Sequence, residues 1–187
     1  MCLNKQMDED IGLVERYAAG DEGAVEELVV KYQRRVFAFV YRMANDTEEA
    51  KDLTQKTFIS AFSGIDGFRK QSSFKTWLYR IALNTGLNHL RKVRPEETEI
   101  DESLVCREAG ALSSMLQEER TRLLRRCLGL LPERQRQAVV LRVYEGLSCA
   151  ETAEVMGCSD GAVKAHYHSG VKRLREVMKE KGYEILA

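Results

Sequence analysis

From Asp21 onward the apolar residues recur at three- and four-residue steps: Val25, Leu28, Val29, Tyr32, Val36, then Phe39 and Val40. One face of an α-helix repeats at that interval, so the spacing predicts a long helix capped by Asp21 and running through Ala44. Asp46 and Glu49 stand three residues apart, the interval at which two side chains satisfy free amides at a helix start; a second helix is predicted to about Phe62. Its Ala50, Leu53, Thr57, Phe58 and Ala61 share the inward face, and Asp52, Gln55, Lys56 and Ile59 the outward one. Gly64 and Gly67 mark a loop from Ser63 to Ser73. Phe74, Trp77, Leu78, Ile81 and Ala82 restart the helical period, which ends by Arg94 because the residue before Pro95 is forced out of helical geometry. No segment shows the two-residue alternation of a strand.

Residues 95–110 carry little apolar periodicity and much negative charge, which predicts a linker. Periodicity resumes near Ala111 and runs to Leu131; Pro132 suits the first turn of a helix over 132–145, and Gly146 closes it. The expected fold is therefore all-α: two small helical domains, 1–94 and 113–187, joined by an acidic linker over 95–112.

The second domain holds a distinctive stretch. Ser148 and Glu151 have capping-box spacing at the start of a short helix. Ala153 is small where two helices would cross. Gly157 allows the positive φ of a tight turn, and Ser159 caps a second helix with the apolar stripe Val163, Tyr167, Val171 and Leu174. This is the pattern of a helix-turn-helix, whose second helix enters the major groove of DNA. The remaining faces of that helix carry Asp160, Gly161, Lys164, Ala165, His168 and Ser169. Lys164 and His168 suit base edges or nearby phosphates; Lys172, Arg173 and Arg175 suit phosphates, which fix register without reading sequence.

Charge sharpens this picture. The chain has 29 basic and 29 acidic residues, yet residues 51–95 carry nine Lys or Arg against two acidic residues. Residues 96–119 carry one against eight, and residues 120–187 carry 13 against eight. Two basic blocks flanking an acidic one fit two nucleic-acid surfaces on one chain. The first block interleaves cations, hydroxyls and aromatics over Phe68, Arg69, Ser72, Ser73, Lys75, Thr76, Trp77 and Arg80. Thr76, Arg80, Asn84, Asn88 and Arg91 fall on one helical stripe. Unpaired strands are held by such combinations, with cations along the backbone and rings or amides on exposed bases. Trp77 taken singly is also an ordinary core residue.

The longest apolar run, Val36 to Tyr41, is far short of the roughly 20 residues that span a bilayer. The acidic first ten residues lack a signal-peptide layout, so a cytoplasmic protein without membrane insertion is expected. The five cysteines show no paired spacing; neither disulfides nor a metal site is expected, although Cys149, Cys158, His166 and His168 lie close in sequence. No nucleophile–base set, phosphate loop or cofactor motif appears, which argues against an enzyme.

With these residues in hand, the chain resembles bacterial RNA polymerase sigma factors of the extracytoplasmic-function (ECF) group of the sigma-70 family. Asp52-Leu-Thr-Gln-Lys-Thr-Phe58 is similar to the family's segment that docks on the β′ clamp of the polymerase. Phe74-Lys-Thr-Trp-Leu-Tyr-Arg-Ile-Ala-Leu-Asn84 is similar to its helix for recognising and melting the −10 element. The helix-turn-helix resembles its −35 reader. The resemblance implies core contacts from Asp52, Leu53, Gln55, Lys56, Phe58 and Ile59. It implies −10 contacts from Phe68, Arg69, Ser72, Ser73, Lys75, Thr76, Trp77, Arg80, Asn84, Asn88 and Arg91. It implies −35 contacts from Ser159, Asp160, Gly161, Lys164, Ala165, His168, Ser169, Lys172 and Arg173. Partners implied are core RNA polymerase (its β′ and β subunits), promoter DNA both duplex and single-stranded, and an anti-sigma factor. The acidic linker resembles the segment that threads the RNA exit channel, where its charge mimics nucleic acid; a solubilising spacer is the alternative. Lys56 stands where the family has an acidic residue, and His166 and Ser169 where arginines are common. Two other readings remain open: a duplex-binding repressor or activator, and a metal sensor using Cys149, Cys158, His166 and His168.

Overall fold

The computed structural model describes residues 2–93 and 123–180. The predicted linker and the start of the second domain, residues 94–122, lie outside the described residues. Every regular element among the described residues is helical: α1 (Cys2–Ala18), α2 (Gly23–Ala44), α3 (Thr47–Ser63), a 3₁₀ turn (Ile65–Gly67), α4 (Phe74–Val93), α5 (123–129), α6 (Glu133–Val139), α7 (Cys149–Met156) and α8 (Asp160–Glu180). The all-α expectation holds.

Helix α2 begins at Gly23, two residues after the expected cap; the Asp21 carboxylate accepts the Gly23 amide at 3.0 Å. Asp46 caps α3 by accepting the Glu49 amide at 2.8 Å. The predicted inward face of α3 is inside, with Ala50, Leu53, Thr57, Phe58 and Ala61 all buried. Helices α2, α3 and α4 pack mutually around Leu28, Tyr32, Phe39, Leu53, Phe74 and Tyr79.

Helix α1 is not among the helices predicted above, although Leu3, Met7, Ile11, Val14 and Ala18 follow the helical period, and Val14 is buried with Leu13 and Tyr17 packed against the core. Asp10, only 2 % exposed, accepts from Lys31 Nζ at 2.6 Å and from the Tyr32 hydroxyl. A buried carboxylate is tolerated when both a cation and a hydroxyl meet it, so α1 is tied across α2 by a polar clamp.

The predicted helix over 132–145 divides in two. After Val139 the chain loosens into a π turn, Val140–Tyr144, in which the Glu145 amide reaches back five residues to Val140 O at 3.2 Å. Such turns occur mainly as single bulges within helices, often at functional positions. The turn delivers Tyr144 and Glu145 toward the N-terminal helices. Helix α4 packs on α7, and one apolar cluster runs from Phe39 and Tyr79 to Val140, Leu141 and Leu147. The two sets of helices therefore close on each other.

Candidate nucleic-acid and polymerase surfaces

The helix-turn-helix is built from local signals. The Ser148 hydroxyl accepts the Glu151 amide at 3.2 Å, and the Glu151 carboxylate accepts the Ser148 amide at 2.7 Å, completing the capping box of α7. Gly157 ends α7 in the left-handed region at φ 61°, which spares the turn the strain a side chain would bring. Ser159 then caps α8 by accepting the Ala162 amide at 3.2 Å. Val163 is fully buried beneath α8, with Tyr167, Val171 and Leu174 packed against the core behind it. The other faces of the helix are open: Ser159, Asp160, Gly161, Lys164, Ala165, His168, Ser169, Lys172 and Arg173 are all exposed. His166 is half-buried.

Gly170 has a role the sequence did not suggest. It lies where α8 crosses α6, and a Cβ there would come within 2.9 Å of Val139 Cγ2 and 3.2 Å of Gln135 O. The close approach expected at Ala153 thus has a tighter counterpart one helix further on.

The loop before α4 and the helix itself divide by depth. Arg69, Arg80, Asn84 and Asn88 are exposed, and Ser72, Ser73 and Lys75 half-buried. Phe68, Thr76 and Trp77 are not at the surface: they are 7 %, 0 % and 7 % exposed. Phe68, Phe74 and Trp77 form a ring cluster with centroids 5.3–5.9 Å apart, which supports the loop from below. Ser73 Oγ accepts the Thr76 amide at 3.0 Å and meets Thr76 Oγ1 at 2.8 Å, capping α4. Residues Phe68, Thr76 and Trp77, expected to contact DNA, are therefore packing and capping residues in this arrangement. The side chain of Arg91 lies outside the described residues. Lys70 takes a positive φ of 56°, uncommon without glycine, and its amine meets Glu15 at 2.5 Å.

The outward stripe of α3 is exposed as expected, with Asp52 and Lys56 paired at 2.5 Å. Two neighbours in the expected core-contact set differ: Leu53 is 1 % exposed and belongs to the interior, and Phe58 is 8 % exposed. Phe58 nonetheless lines an open apolar groove of about 980 Å³ with Gln55, Ile59 and Phe62 of α3, Val25, Val29 and Phe37 of α2, and Tyr17 of α1. Ile59 stands 58 % exposed at its edge. The contributions of α1 and α2 escaped the sequence reading, because Val25 and Val29 look like continuations of the core stripe.

A third feature lies between the two sets of helices. Lys75 Nζ donates to Glu145 O at 2.6 Å, the Tyr79 hydroxyl donates to the Glu145 carboxylate, and Arg42 lies 3.5 Å from that carboxylate. Arg42 also stacks on Tyr144 at 4.2 Å and Arg125 on Tyr41 at 4.7 Å. Burial raises the Glu145 carboxyl above its ordinary value, opposed by the Tyr79 hydrogen bond and by Arg42 and Lys75. Burial likewise lowers the Lys75 amine and raises the Tyr79 hydroxyl. Among the described residues no group of three His, Cys, Asp or Glu side chains is placed to hold a metal ion, and no helix is long and apolar enough to cross a membrane.

Comparison with known proteins gives this arrangement a context. Residues 28–96 match the model of Sigma-70 region 2, and residues 121–174 that of Sigma-70 region 4. The RNA polymerase sigma-H factor of Pseudomonas aeruginosa is 37% identical over 183 residues, covering 91% of this chain and 92% of that protein. The ECF RNA polymerase sigma-E factor of Escherichia coli is 37% identical over 190 residues, covering 96% of each. Among solved structures, the sigma factor RpoE in complex with the anti-sigma factor NepR from Bartonella quintana aligns with a TM-score of 0.65 at 25% identity, covering 82% of this chain and 96% of that one. CnrH, solved with the cytosolic domain of CnrY, shares the fold at a TM-score of 0.71 and 24% identity, covering 91% and 97%.

The two matched regions, in this order on one all-α chain, define a transcription initiation factor. The chain belongs to the sigma-70 family of RNA polymerase sigma factors, in its ECF group.

Proposed function

We propose that this chain binds core RNA polymerase and directs it to promoters by reading a duplex −35 element with α8 and an unpaired −10 strand with α4 and its preceding loop. The observation that carries this reading is the exposed polar face of α8 on a helix-turn-helix. A major-groove helix needs its N-terminal side chains free, and here they are. Lys164 and His168 take base edges or phosphates, and Lys172 and Arg173 take phosphates. Arg69, Ser72, Ser73, Lys75, Arg80, Asn84 and Asn88 contact the −10 strand, with Phe68 and Trp77 supporting them from beneath. Domain limits of 1–94 and 113–187, with the acidic segment between them in the RNA exit channel, complete the reading.

Polymerase docks on the apolar groove of α1, α2 and α3, with Ile59, Gln55 and Phe58 presented to the β′ clamp and Asp52 and Lys56 at its rim. The likeness to RpoE with NepR supports an anti-sigma factor as a further partner. A place of action beside polymerase in the cytoplasm follows from the same reading.

Ile59→Glu puts a charge on the groove edge and is expected to weaken capture of core polymerase by about tenfold, a loss of about 1.4 kcal/mol. Equal capture by variant and wild type in a binding titration removes this groove from the docking surface. Lys164→Ala is expected to weaken duplex −35 binding by about 1–3 kcal/mol if the amine reaches a base. An unchanged affinity by fluorescence anisotropy removes Lys164 from the reading helix.

A further inference from the structure

Helix α1 lies ahead of residues 28–96, the span that matches Sigma-70 region 2, yet it reaches the loop before α4. Glu15 on its exposed side meets Lys70 Nζ at 2.5 Å, across 55 positions of chain. Lys70 is where the loop needs a support. Its φ of 56° lies in the left-handed region, where a residue with a side chain stays only if its surroundings hold it. Residues 69–72 donate no backbone hydrogen bond to the backbone of any described residue, so side chains set the course of the loop. Phe68 anchors it on one flank, packed on Phe74 and Trp77, and the Ser73 hydroxyl anchors the other by capping α4. Between those anchors, Glu15 ties Lys70 to a helix.

Glu15 is itself fixed in place. Asp10, five residues earlier, is clamped by Lys31 and Tyr32 of α2. Arg16, the next residue, bonds Asp21 at 2.8 Å and Glu27 at 3.0 Å. Tyr17 packs edge-on to Phe62 of α3, with ring centroids 6.0 Å apart. Contacts on both sides of residue 15 thus fix the rotation of α1, and with it the direction of the carboxylate.

We infer that Glu15 is a positioning residue for the −10 strand: from α1 it holds Lys70 in the left-handed turn, and so fixes how the loop presents Arg69, Ser72 and Ser73. This rests on the reading of that loop as part of the −10 site. The pair is open to solvent, with Lys70 44 % and Glu15 60 % exposed, so it adds little to overall stability. Its effect is on which loop conformation is populated. A loop spread over several conformations binds its preferred strand more weakly, in proportion to the competent fraction. Sequence preference falls with that fraction, while the general attraction of the basic surface for phosphates is kept.

The test uses holoenzyme assembled from core RNA polymerase and the full-length chain: wild type, Glu15→Lys, Lys70→Glu, and the two changes combined. Each binds a random-sequence single-stranded DNA pool, and sequencing gives the enrichment of the preferred sequences over the pool mean. A change in net charge moves the binding of every strand together and cancels in that ratio. Each single reversal is expected to cut the enrichment about threefold, the scale of an exposed ion pair. The double reversal rebuilds the pair with its polarity exchanged and is expected to regain the wild-type enrichment. Single variants that enrich as the wild type does overturn the inference. So does a double variant as poor as Lys70→Glu alone, because Lys70 then acts on the strand itself. A wild-type holoenzyme that enriches no sequence refutes the −10 reading and the inference with it, whereas the first two failures leave that reading intact.

Discussion

Phe74→Ala is expected to be the most damaging single truncation in the N-terminal helices. The ring is fully buried at the start of α4, with Tyr32 5.7 Å, Trp77 5.7 Å and Phe68 5.9 Å away between centroids. Removing a buried phenyl group costs about 3–5 kcal/mol, from lost transfer energy and the cavity left behind. For a chain of this size that lowers the melting temperature by on the order of 10 °C. The damage extends beyond stability, because Phe68 and Trp77 lose the ring that holds them under the loop carrying Arg69, Ser72 and Ser73. A thermal scan by circular dichroism checks this; a shift of under about 2 °C would mean that the cluster can collapse around the gap.

Gly170→Val is expected to produce the corresponding failure among the C-terminal helices. Glycine inside a helix is itself unfavourable by about 0.5–1 kcal/mol relative to alanine, so a substitution gains that much if space permits. Space does not permit: a Cβ would lie 2.9 Å from Val139 Cγ2 and 3.2 Å from Gln135 O. Val139 is 3 % exposed and the second obstacle is backbone, so neither can swing aside cheaply. Overpacking of this kind costs about 1–3 kcal/mol, which exceeds the propensity gain, and the branched side chain adds further overlap. Helix α8 would tilt off α6, moving Lys164 and His168 relative to the rest of the motif. Urea denaturation and duplex binding should both weaken, the valine variant more than Gly170→Ala; a valine variant as stable as the wild type would contradict the crossing geometry.

What the sequence made legible was local. Ser148 with Glu151, Gly157 and Ser159 act over three or four residues, so spacing alone locates the turn, and the structure has each in the expected conformation. The inward face of α3 was legible for the same reason. Legibility failed wherever distant segments decide. The helical period Leu3, Met7, Ile11, Val14 and Ala18 marks α1, but not the clamp of its Asp10 by Lys31 and Tyr32, 21 and 22 positions away. Thr76 shares a stripe with Arg80, yet it is buried and bonded to Ser73; helical phase gives direction but not depth. The groove walls Val25 and Val29 carry the same period as the core and differ only in what packs against them. The seam at Glu145 joins residues 66 and 70 positions apart, through Tyr79 and Lys75, and a π turn aims it.

The family and the two matched regions make a polymerase-dependent role the centre of this account. The most direct measurement is transcription from a pool of genomic DNA fragments by core RNA polymerase with and without the purified chain, with the 5′ ends of the transcripts sequenced. The expected result is a set of discrete new start sites that share one pair of upstream elements and vanish without the chain. Start sites no more selective than those of core polymerase alone would contradict it.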